Sequence, residues 1–106
     1  MADLNVLAIF AHRDDAELTC GGTLIKLASQ GHRTGILDLT EGEMGTRGSA
    51  AIRAAEAERA AAVLGVAIRE NLQLPDAGIV NTPETRRLLA RVIRRHRPAI
   101  VIAPAP

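Results

Sequence analysis

Aromatic side chains are almost absent from this sequence, which has one phenylalanine and neither tyrosine nor tryptophan. The hydrophobic core must therefore be aliphatic, and a nucleic-acid site built on stacked aromatic rings is excluded. A strong charge of one sign is also missing, since the formal net charge is only +1. Because no overall field attracts nucleic acid or an acidic membrane, we expect neither as a partner.

Cysteine and long apolar runs are scarce as well. Cys20 is the sole cysteine, which excludes an intrachain disulfide and a zinc site built on cysteines. The first apolar run is too short and too uncharged in front for a signal peptide, and no run is long enough for a membrane span. These absences favour a cytoplasmic protein. A length of 106 residues suits one domain or a part of one.

Four apolar segments predict the strands of a parallel sheet. They are 4–10, 34–40, the weaker 68–74 and 99–103, and a helix-like segment separates each from the next. Such alternation is typical of α/β proteins with right-handed crossovers. We predict a Rossmann-like parallel sheet of order 3-2-1-4 with three helices, two of them on one face. Ligands of such sheets bind where the strand order reverses, here beyond the carboxyl ends of the first and fourth strands.

Glycine, threonine and proline mark the ends of the three helices. Gly31 and Gly65 are expected to end the first two helices. Thr82 is expected to cap the third, with Pro83 in its first position. The side chains of the first helix that we expect to face the core are Leu18, Ile25 and Ala28.

Ionisable residues crowd the turn directly after the first strand. The segment AHRDDAE (11–17) places His12, Asp14 and Asp15 at the start of a helix. His12 and Asp15 can point at one ion across this turn, and imidazole and carboxylate both suit Zn²⁺. Asp14 between them could act as a general base on water. A simpler interpretation is that both aspartates cap the helix and that His12 is a polar strand end.

Another interpretation gives the two aspartates a different function. Adjacent acids after the first strand bind Mg²⁺ in response-regulator receiver domains, and Asp76, after the third strand, would be the phospho-accepting residue. The fourth strand, however, ends in APAP, without the hydroxyl residue expected there. His12 also has no part in such a site.

Three ordered motifs resemble those of the LmbE/PIG-L family of zinc-dependent N-acetylglucosaminyl deacetylases. AHRDDAE resembles the family's A-H-P-D-D-x-E, LTEGEMGTRGS (39–49) its L-T-x-G-E-x-G-[ST]-x-G loop, and NLQLPDAGI (71–79) its N-L-x-x-P-D-G segment. The resemblance extends over nearly the whole chain and is strongest to members that act in bacillithiol-type thiol biosynthesis. It implies that residues 1–106 are the N-terminal part of a single LmbE-like deacetylase domain.

The resemblance also implies an activity and roles for individual residues. His12 and Asp15 would be zinc ligands, and Asp14 the general base in hydrolysis of the acetamide of an N-acetylglucosaminyl conjugate. The residues expected to hold the sugar or its aglycone at the rim of the site are Glu43, Arg47 and Arg53. For Arg53 a solvated helix position is an equally good interpretation, whereas the glycine-flanked loop around Arg47 favours function. A non-catalytic sugar-binding remnant is the remaining alternative.

Arg13 departs from the family pattern, because the family has a proline at this position. Proline would stiffen the turn by fixing φ, whereas arginine adds a cation beside the proposed metal site. We expect Arg13 to point into solvent.

The family's third zinc ligand is a histidine in an H-P-D-H segment after the fourth strand, and this sequence has no such segment. Neither His32 nor His96 is expected to replace it, since both should lie at the opposite end of the sheet. The sequence therefore predicts a truncated chain that holds zinc weakly and turns over little. Its uncovered fourth strand predicts a homo-oligomer.

Overall fold

Strands and helices alternate along the chain in the computed structural model, which describes residues 3–41, 50–75 and 78–104. All strand pairs are parallel and the sheet order is β3-β2-β1-β4, so the predicted fold is confirmed. None of the helices in these ranges is both long and apolar enough to cross a membrane. The elements are β1 (Val6–Phe10), α1 (Asp15–Ser29), β2 (Thr34–Thr40), α2 (Ala50–Leu64), β3 (Ile68–Leu74), α3 (Pro83–His96) and β4 (Ile100–Ile102).

Each face of the sheet has its own apolar cluster, because β1 is buried on both sides. Helices α1 and α2 cover one face and α3 covers the other, which confirms the prediction of two helices on one face. The buried side chains of the first cluster are Val6, Ala8, Phe10, Ala16, Leu24, Ile36 and Leu64. Those of the second are Leu4, Leu7, Ile9, Leu37 and Val92.

The core-facing side of α1 differs from the prediction. Leu18 and Ile25 are 82% and 44% exposed, whereas Ala16 and Leu24 are fully buried. Cys20 has a non-helical φ of −138° and ψ of 18°, yet residues on both sides of it pack against the same apolar cluster, namely Ala16, Cys20, Leu24 and Leu27. These positions follow one 3.6-residue repeat, so the prediction placed that repeat on the wrong side of the helix.

Helix α3 begins and ends as predicted. The Thr85 N–H donates to Thr82 Oγ1 at 3.2 Å, and Pro83 occupies the first turn, where its missing N–H is no loss. Arg97 ends the helix in a left-handed conformation with a φ of 45°. Pro98 follows and cannot continue the helix.

Gly35 in β2 has no room for a side chain. A Cβ there would lie 2.7 Å from Ile68 Cγ1 and 2.7 Å from Leu4 Cδ1. We expect Gly35→Ala to lower the free energy of unfolding by about 1–3 kcal/mol, the usual result of overpacking. Urea unfolding of the purified variant measures this change, and an unchanged midpoint would contradict it.

Gly22 in α1 supplies the matched control for Gly35. A Cβ at Gly22 would meet nothing within 4 Å beyond the backbone of its own helix. Because alanine favours a helix more than glycine does, we expect Gly22→Ala to raise the free energy of unfolding by about 0.5–1 kcal/mol. If the two Gly→Ala substitutions change the free energy of unfolding in opposite directions, packing around Gly35 is the cause of the loss there.

β4 forms one edge of the sheet and leaves apolar side chains exposed. Among the described strands it pairs with β1 alone, and Ile100 and Val101 are 58% and 45% exposed. Homo-oligomerisation stays a prediction: we expect sedimentation equilibrium to show self-association that Ile100→Lys weakens, since a charge disfavours edge pairing. Ile52→Lys on α2, at a similar exposure of 53%, is the control that should leave association unchanged. A monomer at all concentrations would contradict the prediction.

Candidate metal centre at the first strand–helix turn

The turn between β1 and α1 brings the two predicted metal ligands together. His12 Nδ1 lies 3.5 Å from Asp15 Oδ2, and the His12 N–H donates to the same oxygen at 3.0 Å. Two donors bound 2.0–2.1 Å from a tetrahedral zinc ion are about 3.4 Å apart. The observed separation therefore fits two ligands of one ion. Both side chains are open to solvent, with exposed fractions of 45% and 37%.

Asp14 stands immediately before α1 with its side chain exposed. Its φ of −102° and ψ of −6° continue into the helix, and its carboxylate makes no capping hydrogen bond. Asp14 therefore occupies the N-cap position, as one interpretation of the sequence expected, but its side chain does not cap the helix. The carboxylate that does bind a backbone N–H is that of Asp15, which accepts from His12. Asp14 thus remains available to accept a proton beside the two candidate ligands.

A buried group of charges lies directly beneath this turn. Arg69 of β3 donates from Nε to Asp38 Oδ2 at 2.8 Å and from Nη2 to Asp38 Oδ1 at 3.1 Å. Nη2 also donates to the backbone carbonyl of Arg13 and lies 3.1 Å from Glu17 Oε1. The Asp38 and Arg69 side chains are 1% and 9% exposed. We refer to Glu17, Asp38 and Arg69 as the Arg69 cluster.

Strand register explains why the Arg69 cluster forms. Arg69 is in register with Ile36 of β2, two residues before Asp38. Alternate residues of a strand share a face, so Arg69 and Asp38 both point toward the side covered by α1, which brings Glu17. None of these three residues was among the site residues predicted from the sequence. A signal was present, since Asp38 and Arg69 interrupt segments that otherwise read as buried strands.

Burial and pairing act in opposite directions within the Arg69 cluster. Burial raises the pKa of Asp38 above its usual value, although the hydrogen bonds and charge of Arg69 and the charge of Arg13 partly offset this. Burial opposes the charged form of Arg69, but hydrogen bonding and charge from Asp38 and Glu17 outweigh it and raise the Arg69 pKa. The guanidinium therefore stays charged in its buried position.

The charges around the turn favour a divalent cation. Residues 13–17 together with Asp38 and Arg69 carry four carboxylates and two guanidinium groups, so this set has a formal charge of −2 when all are ionised. Opposite charge at short range stabilises a bound ion. The groups are those of Asp14, Asp15, Glu17 and Asp38 against those of Arg13 and Arg69.

The expectation that Arg13 points into solvent is wrong. Arg13 is partly buried, and its charge lies close enough to Asp38 to lower the pKa of that carboxyl. Attraction to the carboxylates beneath the turn explains the position. Arg53 lies on α2 and is also partly buried, while Glu43, Arg47 and Asp76 lie outside the described residues.

The other two histidines lie at the opposite end of the sheet, as predicted. The His96 carbonyl accepts from the Leu4 N–H just before β1, and the His96 ring pairs with Glu70. His32 follows α1 and precedes β2. Within the described ranges, no three His, Cys, Asp or Glu side chains are grouped to hold a metal ion. His12 and Asp15, whose separation suits one ion, are thus two candidate ligands without a third in these ranges.

The carboxyl ends of β2 and β3 are joined to each other and to the turn. The Thr40 N–H donates to the Ala11 carbonyl at 3.0 Å, and Asn71 Nδ2 donates to the Thr40 carbonyl at 2.9 Å. Gln73 adopts a left-handed φ of 58° at an irregularity in the β2–β3 pairing. Its side chain donates to Glu41 Oε1 at 3.0 Å. Strained backbone of this kind is common at functional sites.

Comparison with known proteins gives one family and several related enzymes. The family model described as PIG-L: GlcNAc-PI de-N-acetylase matches residues 7–106. The diacetylchitobiose deacetylase of Thermococcus kodakarensis is 38% identical over 108 residues, which cover 95% of this chain and 40% of that protein.

Solved structures with the same fold as this chain include two that are more than 30% identical to it. The conserved protein TT1542 from Thermus thermophilus is 47% identical, with a TM-score of 0.92 over 96% of this chain and 46% of that one. The N,N'-diacetylchitobiose deacetylase from Pyrococcus horikoshii, complexed with its inhibitor MPG, is 36% identical, with a TM-score of 0.88 over 93% of this chain and 40% of that one. This chain spans less than half the length of each relative.

Proposed function

Because this chain belongs to the PIG-L family of GlcNAc-PI de-N-acetylases, we propose that the protein hydrolyses the acetamide of an N-acetylglucosaminyl conjugate. The observation that carries the proposal is the approach of His12 and Asp15 at the carboxyl end of β1, beside Asp14, whose exposed side chain makes no capping hydrogen bond. Relatives named as diacetylchitobiose deacetylases support an N-acetylated sugar as the substrate class. A receiver-like function has no such support.

We propose His12 and Asp15 as two of the ligands of a catalytic zinc ion. Their separation and donor types suit zinc, and the negative charge around the turn favours a cation. When bound, the ion supplies Lewis-acid chemistry that acidifies water and polarises a carbonyl oxygen.

Asp14 is the general base in this proposal. Its carboxylate takes a proton from water as the water oxygen forms a bond to the acetamide carbon. The carbon–nitrogen bond then breaks, and the proton is passed to the leaving amine, so that acetate and a free amino sugar result. The exposed position of Asp14 allows it to face both the water and the leaving group.

We propose that Glu43, Arg47 and Arg53 hold the sugar or its aglycone. Arg53 is the one of the three within the described residues, and its position on α2, which packs on the same face as α1, supports this role. Residues 1–106 would form the N-terminal part of a single deacetylase domain, in the cytoplasm.

Removal of metal tests the proposed function. We expect chelator-treated protein to lose its low acetate release from an N-acetylglucosaminyl conjugate, and excess Zn²⁺ to restore it, because the proposed ligands hold the ion needed for hydrolysis. Acetate is measured directly. Full activity in metal-free protein would contradict the proposal, and metal-independent binding of the conjugate without acetate release would favour a sugar-binding remnant instead.

A further inference from the structure

We propose that Arg69 is a positioning residue that holds the turn carrying His12, Asp14 and Asp15 in the arrangement needed to share one cation. The inference deepens the proposed function and rests on it for the role of the turn. Arg69 itself touches neither His12 nor Asp14 in the contacts described above. It acts through the backbone between them, by donating a hydrogen bond from Nη2 to the Arg13 carbonyl.

Asp38 fixes the position of the Arg69 guanidinium. Its carboxylate accepts two hydrogen bonds from Arg69, at 2.8 Å and 3.1 Å, and both side chains are almost completely buried. A bidentate pair of this kind sets the plane of the guanidinium as well as its position. The sheet therefore determines where Nη2 lies, and Nη2 in turn determines where the Arg13 carbonyl can lie.

The same nitrogen also reaches the first turn of α1. Glu17 Oε1 lies 3.1 Å from Nη2, so one guanidinium connects β2, β3, the turn and the helix that follows it. Arg13 replaces the proline of the resembled motif, so φ at this position is not fixed by a ring. The hydrogen bond from Arg69 adds a restraint from outside the turn to the two hydrogen bonds between His12 and Asp15 within it.

A gain in folding stability does not explain why the charges of the Arg69 cluster are buried. Apolar residues of similar volume often stabilise a core as well as a buried ion pair does. By contrast, residues that orient metal ligands typically change metal affinity by about 10- to 100-fold. The placement of all Arg69 contacts at the base of one turn fits the second role.

Amide hydrogen exchange of Arg69→Lys tests the proposal without metal. Lysine keeps a buried cation but lacks the planar fork, so we expect the variant to fold. The His12 and Asp15 amides, which bond to Asp15 Oδ2 and to the His12 carbonyl, should exchange at least about 10-fold faster, while β1 amides keep their rates. Unchanged exchange at the turn, or one uniform change along the chain, would overturn the proposal.

Zinc titration of the same variant provides the second readout. We expect Arg69→Lys to bind Zn²⁺ about 10- to 100-fold more weakly than the parent. The double variant that also carries Arg13→Pro should recover part of this affinity, because the proline ring restrains the backbone of the turn itself. Arg95→Met is the matched control, since it removes an exposed pair with Glu70 of the same strand and should change neither readout.

The two readouts keep this inference separate from the proposed function. Parent protein that binds no zinc and releases no acetate contradicts the proposed function, and the exchange experiment still decides whether Arg69 orders the turn. Parent zinc affinity retained in Arg69→Lys contradicts the inference alone.

Discussion

Asp14→Asn should lower kcat for acetate release by about 10²- to 10⁴-fold, the usual contribution of a general acid–base residue. The amide has nearly the same size as the carboxylate but cannot accept the proton of the attacking water. Because the Asp14 side chain is exposed and makes no capping hydrogen bond, we expect the melting temperature to stay within about 1 °C of the parent value. Steady-state kinetics and thermal unfolding measure the two effects.

Asp3→Asn is the matched control for this prediction. Asp3 is an exposed aspartate whose ion pair with Arg97 is likewise exposed, and it precedes β1 at the end of the sheet opposite the turn. We expect no change in kcat from this substitution. An Asp14→Asn protein with full activity would remove Asp14 as the base.

Asp38→Ala should lower the free energy of unfolding by about 3–5 kcal/mol, because it leaves the buried Arg69 guanidinium without its main partner. Domains of this size have a total stability of about 5–15 kcal/mol, so the variant should be extensively destabilised. Asp38→Asn keeps one hydrogen-bond acceptor and should lose less. Chemical unfolding of the parent, Asp38→Asn and Asp38→Ala measures this order of stability.

The surface pair of Asp3 with Arg97 is the control for the buried one. Both of its side chains are more than half exposed, and exposed pairs contribute about 0–1 kcal/mol. Asp3→Ala should therefore have little effect. Equal losses from Asp38→Ala and Asp3→Ala would show that burial of the Arg69 cluster has no energetic consequence.

The order of strands and helices was predictable because the local sequence patterns favour the same elements that the packed fold contains. The apolar strand segments alternate with segments bounded by Gly31, Gly65 and Pro83, and each boundary signal acts within a few residues. The core-facing side of α1 was predicted wrongly, because Leu18 and Ile25 point into solvent while the smaller Ala16 packs against the sheet. A helix with apolar residues on both sides does not show in its sequence which side will be buried.

The sequence indicated the candidate ligands in the turn but not the buried charges beneath them. His12 and Asp15 follow from spacing at a strand end, a pattern that the sequence displays directly. Arg69 and Asp38 are 31 residues apart and meet only through the register of β2 and β3. The position of Arg13 likewise depends on charges that tertiary structure brings beneath the turn.

Zinc titration calorimetry of the metal-free protein tests most directly whether His12 and Asp15 share one ion. The parent should bind one zinc ion per chain. His12→Ala should bind zinc at least about 10-fold more weakly, since removing a ligand lowers metal affinity more than removing a supporting contact usually does. His32→Ala, at the other end of the sheet, should have the same zinc affinity as the parent. Equal zinc affinity in His12→Ala and the parent would contradict a metal centre at this turn.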